Sequence, residues 1–293
     1  MPPSSLSQQQ VGQAIRQAQQ AGLPRLEAEL LVLHALGRAP TDRAWLLIHS
    51  YDAIDDAAWQ RVRAGTARRS AGEPLAYITG HKEFYGLPLA IDARVLDPRD
   101  DTETLVDWTL ELLAADAPQR IIDLGTGSGA IALALQQARP QWQVHATDRS
   151  ADALALARHN AERLRLPLQL RQASWLDGVT EKFSAIVSNP PYIALGDAHL
   201  PALAHEPLQA LVSGADGLDD IRRIVQQAPA CLAPGGWLLL EHGYDQAEAV
   251  RQLLQSAGFS QVQSRCDLAT IERCSGGCWG GCWGAVAPAG GNP

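Results

Sequence analysis

The chain has 293 residues, of which 46% are hydrophobic and 19% are charged. The length exceeds that of one ordinary domain, so we expect two domains, and the composition is typical of a globular protein. The net charge of −8 argues against binding to the phosphates of DNA, which requires basic patches. No apolar run approaches the roughly 20 residues that span a membrane. The first residues lack the basic start and apolar core of an export signal, so we expect a cytoplasmic protein.

The first 75 residues have the spacing of a bundle of small helices. Ser7 is expected to cap a helix that ends at Gly22, and Pro24 to begin a second helix. The inward stripe of the second helix is expected to consist of Leu26, Leu30, Leu33 and Leu36. Asp55 is placed to cap a later helix that carries a cluster of arginines. That cluster is either the solvated face of a helix or a surface for a partner, and it contains Arg61, Arg63, Arg68 and Arg69.

A hairpin and an α/β domain are expected after the helices. Glu73–Gly80 and Phe84–Ile91 look like two extended stretches around a turn, which predicts a hairpin linker over residues 76–96. From residue 97 onward strands and helices alternate, as in a doubly wound, Rossmann-like α/β sheet. We therefore predict a small all-α bundle over residues 1–75 and an α/β domain over residues 97–293.

A glycine-rich turn marks a candidate cofactor site. Arg120–Leu124 reads as a buried strand, and a helix is expected to begin at Ala130. The turn between them consists of Gly125, Thr126, Gly127, Ser128 and Gly129. Such a turn lets a ligand approach the backbone closely, although the dinucleotide pattern that it fits is weak when taken alone. The next strand ends in Asp148, whose carboxylate can accept from both ribose hydroxyls of an adenosine. These residues leave NAD and S-adenosylmethionine both open.

A second motif follows the apolar run Phe183–Ser188 directly. Its residues are Asn189, Pro190, Pro191 and Tyr192. Each proline lacks an N–H and has a fixed φ, so the backbone is extended and its carbonyls are left to accept hydrogen bonds. The Asn189 amide oxygen and a proline carbonyl can accept both hydrogens of one planar NH₂ group, and the Tyr192 ring offers a flat face. The motif therefore predicts a site that binds an amide or an exocyclic amine.

In this order and spacing, the two motifs and Asp148 resemble the class I S-adenosylmethionine-dependent amino-methyltransferases. Two further segments resemble the glutamine methyltransferases that modify the Gly-Gly-Gln loop of peptide chain release factors. These segments are Pro98–Val106 and Glu206–Leu218, and the similarity runs from about Leu6 to Leu268. The resemblance implies a class I methyltransferase fold in the α/β domain and a role in substrate recognition for the helical domain.

A sister family methylates a glutamine of a large-subunit ribosomal protein and shares the fold and the Asn-Pro-Pro-Tyr motif. The form Pro-Arg-x-x-Thr-Glu at residues 98–103 favours the release-factor branch. Asp97 and Asp100 depart from the family, which commonly has an apolar residue and a proline at these positions. Arg99, Thr102 and Glu103 are retained.

The resemblance implies transfer of a methyl group from S-adenosylmethionine to the side-chain amide nitrogen of the release-factor glutamine, with S-adenosylhomocysteine as the product. The cofactor-binding residues would be Gly125, Thr126, Gly127, Ser128, Gly129, Asp148, Trp175 and Asn189. Trp175 is either a ring that stacks on adenine or a half-buried core aromatic. The catalytic residues would be Asn189, Pro190 and Tyr192, and Pro191 would join them in binding substrate.

Several other polar residues could have either a functional or a structural role. As general bases we considered His81, His205 and Asp177, and we expect all three to be surface or structural residues. Thr102 precedes a helix and is expected to cap it, whereas the role of Glu103 stays open. Glu206 and Asp216 belong to the family-like segments or serve only to shape their loop.

Two further functions stay open besides the leading one. A glutamine of a ribosomal protein, or the exocyclic amine of adenine in nucleic acid with Tyr192 stacking on a flipped base, would suit the same motif. The absence of a large basic recognition domain counts against adenine. An NAD-dependent oxidoreductase or a simple nucleotide-binding module is disfavoured by the Asn-Pro-Pro-Tyr motif.

The end of the chain carries a tandem repeat, in which Gly276–Trp279 is followed at once by Gly280–Trp283. It places Cys274, Cys278 and Cys282 four residues apart, one thiol short of a closed zinc site, so no metal is predicted. All five cysteines are expected to be free thiols. We expect the repeat to form a short hairpin, with Trp283–Ala287 completing the last strand. Nothing indicates an obligate assembly, so we expect a monomer that forms no stable complex with nucleic acid and does not bind membranes.

Overall fold

The computed structural model describes residues 9–281, and the chain divides into two compact units. The helical unit runs to residue 81 and includes residues 202–205. The α/β unit comprises residues 82–201 and the chain from residue 206 onward. Within the described range, no helix has the length and apolarity needed to cross a bilayer.

The helical unit is built on an apolar core shared by its helices. The helices are α1 (Val11–Gln20), α2 (Arg25–Ala35), α3 (Arg43–Ile48), α4 (Asp56–Ser70) and α5 (Leu75–Thr79). Their buried side chains include Val11, Val32, Leu33, Leu46 and Val62. The Asp55 carboxylate accepts a hydrogen bond from the Ala58 N–H at 2.6 Å, which confirms the predicted cap of α4. Ser7 lies outside the described residues, but the residue at the cap of α1 is Gln10, so the expected cap at Ser7 is wrong.

The leucine stripe expected for α2 is partly wrong. Leu33 is buried, but Leu26 is 48% exposed, and Leu31 and Val32 take inward positions instead. Leu30 and Leu36 are half-buried. Because α2 packs against α1, α3 and α4, its buried face is wider than a single stripe and has a different phase around the helix.

A two-stranded hairpin follows α5. Its strands are β1 (His81–Phe84) and β2 (Leu87–Ala90). The turn residues Tyr85 and Gly86 both have positive φ, 51° and 74°, as tight hairpin turns require. The expected extended stretch Glu73–Gly80 is wrong, because residues 75–79 form α5. The cause is local: the proline before the helix suits its first turn, and Gly80 ends it at a φ of 78°.

The α/β unit contains a seven-stranded sheet with helices between its strands. Its strands are β3 (Arg120–Leu124), β4 (Gln143–Asp148), β5 (Gln169–Gln172), β6 (Phe183–Ser188), β7 (Leu232–Glu241), β8 (Ser260–Cys266) and β9 (Glu272–Cys278). Its α-helices are α6 (Glu103–Leu112), α7 (Ala130–Ala138), α8 (Ala151–Leu164), α9 (Asp219–Cys231) and α10 (Ala247–Ser256).

The strand order is β5-β4-β3-β6-β7-β9-β8. The five strands from β5 to β7 are parallel, and β9 runs antiparallel to both β7 and β8. The chain moves outward from β3 through β4 to β5, then returns to the other side of β3 with β6. Ligands of such sheets bind at the carboxyl ends of the strands where the order reverses. The predicted α/β fold is confirmed, and its reversal lies between β3 and β6.

One face of the sheet packs against α9 and α10. Phe183 and Ile186 from β6 and Leu238 from β7 are buried there, together with Ile221 from α9 and Leu254 from α10. These strands are apolar on both faces, as expected for a parallel sheet covered by helices. The core therefore buries β6 and β7, and their carboxyl ends carry the Asn-Pro-Pro-Tyr motif and Glu241.

The first copy of the tandem repeat lies at the end of β9 and does not form a separate hairpin. Gly276 pairs with Leu239 of β7. A methyl group on Gly276 would lie 2.5 Å from Leu239 Cδ2 and 2.6 Å from the Leu238 carbonyl oxygen, so only glycine fits there. The hairpin expectation is therefore wrong for this copy, and Trp283–Ala287 lies outside the described residues. The expectation of free thiols is wrong for Cys278, which is disulfide-bonded.

Candidate active site

A cavity opens at the carboxyl ends of β3, β4 and β6. The sequence-predicted residues that line it are Gly125, Thr126, Gly127, Ser128, Asp148, Trp175, Asn189 and Pro191. Gly129, Pro190 and Tyr192 do not line it. Gly129 directly precedes α7 at a φ of 85°, and a methyl group on it would lie 3.2 Å from Leu133 Cδ1, which explains the glycine there. The fold thus brings the two sequence motifs, about 60 residues apart, to one cavity.

The glycine turn is held in place by two hydrogen bonds from Thr126. The Thr126 N–H donates to the Thr147 carbonyl at 2.9 Å, and the Thr126 hydroxyl donates to Asp123 Oδ2 at 2.6 Å. Burial raises the pKa of Asp123 to about 7 against the opposing effect of the Thr126 hydroxyl. Gly125 and Gly127 have positive φ, 68° and 56°. The turn therefore presents bare backbone to the cavity, because a side chain would be strained at these angles.

Asp148 closes the other side of the turn. Its Oδ2 accepts from the Gly127 N–H at 3.0 Å and its Oδ1 from the Ser150 N–H at 2.8 Å. The carboxylate is thereby fixed at the edge of the cavity, at the end of β4. A fixed carboxylate at this edge can also accept from hydroxyl groups of a ligand, because each oxygen has more than one lone pair.

Trp175 is half-buried in the core, as one of its two expected roles required, and it also forms part of the cavity wall. Its ring packs against the core between the sheet and α9. A methyl group on Gly125 would lie 3.1 Å from the Trp175 ring, so the ring covers the glycine turn. The indole N–H donates to Asp220 Oδ1 at 3.1 Å, and the residue has a positive φ of 55°. These constraints fix the ring plane at the cavity wall.

The Asn-Pro-Pro-Tyr motif begins where β6 ends. The Ser188 hydroxyl donates to the Leu124 carbonyl at 2.7 Å, which ties the ends of β6 and β3 together. Asn189 Nδ2 donates to Thr102 Oγ1 at 3.1 Å. With its Nδ2 on Thr102, the side-chain amide leaves Asn189 Oδ1 to accept from a ligand. Pro191 lines the same cavity.

Tyr192 contacts a buried acid, Glu241, that was not predicted from the sequence. Its hydroxyl donates to Glu241 Oε1 at 3.4 Å, and burial followed by the charge of Glu241 raises the pKa of Tyr192. Glu241 is the last residue of β7 and is 1% exposed. The available signal was its place in the sequence, because an acid directly after the apolar run Trp237–Leu240 repeats the arrangement of Asn189 after β6.

The side chains of Thr102 and Glu103, at the start of α6, both make contacts outside the helix. Thr102 makes no side-chain cap of α6, and the expectation that it caps the helix is wrong. Its hydroxyl is used instead by Asn189. Glu103, whose role the sequence left open, accepts from the Tyr85 N–H of the hairpin turn at 2.8 Å.

The remaining polar candidates make structural contacts. His81 Nδ1 lies 3.0 Å from the Thr79 carbonyl, His205 Nε2 lies 3.1 Å from the Ala71 carbonyl, and Asp177 is half-exposed and pairs with Arg223. Of the two loop acids, Asp216 pairs with Arg222, which lowers its pKa to about 2. Glu206 pairs with Arg99 and accepts from the Asp97 N–H. Across residues 9–281 no three His, Cys, Asp or Glu side chains form a group that could hold a metal.

Comparison with known proteins agrees with this geometry. Residues 102–216 match the model of the methyltransferase small domain, and residues 9–80 match the PrmC N-terminal domain. A methyltransferase from Pyrococcus furiosus is similar in structure, with 19% identity and a TM-score of 0.51 over 67% of this chain and 90% of that one. At that identity the likeness concerns the fold alone.

Two curated relatives are much closer in sequence. The release factor glutamine methyltransferase of Bordetella pertussis is 49% identical over 87% of this chain and 95% of its own length. The protein of the same description from Escherichia coli is 43% identical over 89% of this chain and 94% of its own length. Because relatives this similar cover nearly the whole of both sequences, the chain belongs to the family of release factor glutamine methyltransferases.

Proposed function

We propose that this protein transfers a methyl group from S-adenosylmethionine to the side-chain amide nitrogen of the glutamine in the Gly-Gly-Gln loop of peptide chain release factors. The observation that carries the proposal is the position of Asn189. Its side-chain amide is fixed by Thr102 at the wall of a cavity whose other wall is the glycine turn of a class I methyltransferase fold.

The chemistry of the cavity fits S-adenosylmethionine. The bare backbone at Gly125 and Gly127 allows a close approach, the Asp148 carboxylate suits ribose hydroxyls, and the Trp175 ring offers a face for adenine. When bound, S-adenosylmethionine supplies a methyl group activated by a sulfonium. S-adenosylhomocysteine would remain in the same cavity after transfer.

The residues of the motif would solve the main difficulty of this reaction, which is that an amide nitrogen is a poor nucleophile. Its lone pair is delocalised into the carbonyl, so exact placement matters. Asn189 Oδ1 and the Pro190 carbonyl would accept the two amide hydrogens and hold the nitrogen at the cavity. Tyr192 would pack beside the amide, and Pro191 would help to exclude water. No general base is required in this scheme, because a protonated amide product loses its proton readily.

We further propose that the helical domain, residues 1–75, recognises the release factor, with residues 76–96 as a linker and residues 97–293 as the transferase domain. The protein would act as a monomer in the cytoplasm, where its proposed substrate functions in translation. It would form no stable complex with nucleic acid.

A labelling assay tests the proposal. Purified protein and methyl-labelled S-adenosylmethionine would be offered a release factor, its Gly-Gly-Gln→Gly-Gly-Ala variant, ribosomal proteins and DNA. Label is expected on the release factor alone and is expected to disappear in the Gln→Ala variant. Label on DNA or on a ribosomal protein in preference to the release factor, or label that survives the Gln→Ala change, would overturn the proposal.

A further inference from the structure

Two chain segments that are not part of the sheet complete the wall of the active-site cavity. The first, residues 94–98, lines the cavity through four of its members. The second, residues 207–210, lines it through Pro207, Gln209 and Ala210. Because these segments are remote from each other in the sequence, the contacts that join them determine the width of the cavity on this side.

Glu206 joins the two segments. Its Oε1 pairs with the Arg99 guanidinium, and its Oε2 accepts from the Asp97 N–H at 3.2 Å, so one carboxylate binds the chain on both sides of Pro98. Water reaches the Arg99 side chain, which is 37% exposed, but the Glu206 side chain is only 3% exposed. A carboxylate buried to this degree is weakly screened, and it depends on these two partners to compensate its charge.

A second contact attaches residues 207–210 to the sheet. Arg149 Nη2 donates to the Gln209 carbonyl at 3.1 Å, and Arg149 directly follows Asp148 at the end of β4. This hydrogen bond is exposed to water and is therefore expected to contribute less than the contacts of the buried carboxylate. The segment is thus attached at two places, and Glu206 provides the stronger attachment.

We propose that Glu206 is a positioning residue of the methyl-donor site: through Arg99 and the Asp97 N–H it fixes residues 207–210 at the cavity wall before S-adenosylmethionine binds. This inference rests on the proposed function. Neither Glu206 nor Arg99 lines the cavity, so neither touches the donor. The pair acts by pre-organisation, because a wall segment that is already ordered loses little conformational freedom when the ligand binds.

Variants of the pair should weaken donor binding and leave the chemical step almost unchanged. We expect Glu206→Gln and Arg99→Met each to raise the Kd for S-adenosylhomocysteine and the KM for S-adenosylmethionine roughly 10-fold to 100-fold, the effect of losing one hydrogen bond to a charged group. At saturating donor, kcat should stay within about 3-fold of the wild type, because the Asn189 contact with Thr102 is retained. Arg99→Lys keeps the cation without the planar guanidinium and should raise the Kd less than Arg99→Met does.

A double variant and a matched control separate this role from general damage to the loop. Glu206→Gln/Arg99→Met should bind S-adenosylhomocysteine no more weakly than the weaker single variant, because both changes break the same contact. Asp216→Asn is the control, since Asp216 lies further along the loop in an exposed pair with Arg222 and does not line the cavity. It should leave the Kd and KM unchanged. Calorimetric titration measures the Kd, and steady-state methylation of the release factor measures KM and kcat.

The inference fails if the folded single variants keep the wild-type Kd, even where their thermal midpoint is lower, since the pair would then serve stability alone. It also fails if the two effects on Kd multiply in the double variant, or if Asp216→Asn weakens binding equally. Should Glu206→Gln not fold, Arg99→Met and Arg99→Lys provide the same test. Wild-type protein that does not bind S-adenosylhomocysteine, or that leaves the release factor unlabelled, would instead overturn the proposed function, so the two failures are distinguishable.

Discussion

Asn189 shows how much of the proposed chemistry depends on one side chain with two different ends. Its Nδ2 is occupied by Thr102, which leaves its Oδ1 as the acceptor at the cavity wall. The sequence motif indicated that an acceptor was needed, and in the structure Asn189 Oδ1 is the side-chain atom left to supply it. Replacing either partner therefore has a defined expected effect.

Asn189→Ala should lower kcat at least 100-fold, as removal of a donor or acceptor from a preorganised site commonly does. The Kd for S-adenosylhomocysteine should change by less than about 3-fold, because the glycine turn and Asp148 remain. Steady-state methylation and calorimetric titration measure the two quantities. Asp177→Ala, at a half-exposed residue that does not line the cavity, is the control and should leave both unchanged. Loss of donor binding in Asn189→Ala would show that its role extends to the cofactor.

Glu241 should also make stability depend on pH. Its pKa is raised in the folded state, from 4.5 to about 7, so the folded protein binds more protons than the unfolded chain between these values. Stability from this group is therefore full below about pH 4.5 and is lost as the pH rises toward 7.

Glu241→Gln removes this loss, and at pH 8 we expect the variant to be as stable as the wild type or more stable, by up to about 3 kcal/mol. Urea unfolding at pH 5.5 and pH 8 measures the change. A variant that is less stable than the wild type at pH 8 and not at pH 5.5 would contradict the direction of the pKa shift.

At the scale of elements, β9 shows why glycine is required in the first copy of the tandem repeat. The strand lies between β7 and β8, and Gly276 faces Leu239 and the Leu238 carbonyl too closely for any side chain. Gly276→Ala should therefore lower the free energy of unfolding by roughly 2–4 kcal/mol, because a backbone atom cannot yield as a flexible side chain does.

Chemical denaturation measures that change, with Gly65→Ala in α4 as the matched control. The added methyl at Gly65 would meet side-chain atoms and no backbone atom, Leu31 Cδ2 at 3.1 Å and Ile78 Cγ2 at 3.3 Å, and alanine favours the helix. The control should change stability by less than about 1 kcal/mol. Equal effects of the two substitutions would show that β9 can shift to admit a side chain.

For the whole molecule, the α/β unit should be stabilised when its cavity is filled. Binding at 100 times the Kd adds about 2.7 kcal/mol to the folded state. For a protein of this size, saturating S-adenosylhomocysteine should raise the Tm by roughly 5–10 °C.

Asp148→Ala should abolish most of this rise, because it removes the carboxylate expected to hold the ribose. Asp177→Ala should show the full rise. Differential scanning calorimetry makes both measurements, and a full rise in Asp148→Ala would exclude the ribose role of Asp148.

The sequence by itself determined those parts of this protein that depend only on residues close together along the chain. The strands around β3 and β6, the glycine turn, Asp148 at the end of β4 and the Asn-Pro-Pro-Tyr motif follow from short patterns, because strand, turn and helix start are set by local apolar runs, glycine and proline. The α/β class follows from their alternation.

Only the tertiary structure decided which side chains meet across the chain. Thr102 looked like a cap, yet its hydroxyl is used by Asn189, 87 residues further along. Glu241 carries no motif, and burial beside Tyr192 is what gives it an unusual pKa. Leu26 fell outside the core because the phase of α2 depends on the helices that it contacts. Hydrogen bonding and desolvation depend on distances between remote residues, and those distances are set by the packing of the whole fold.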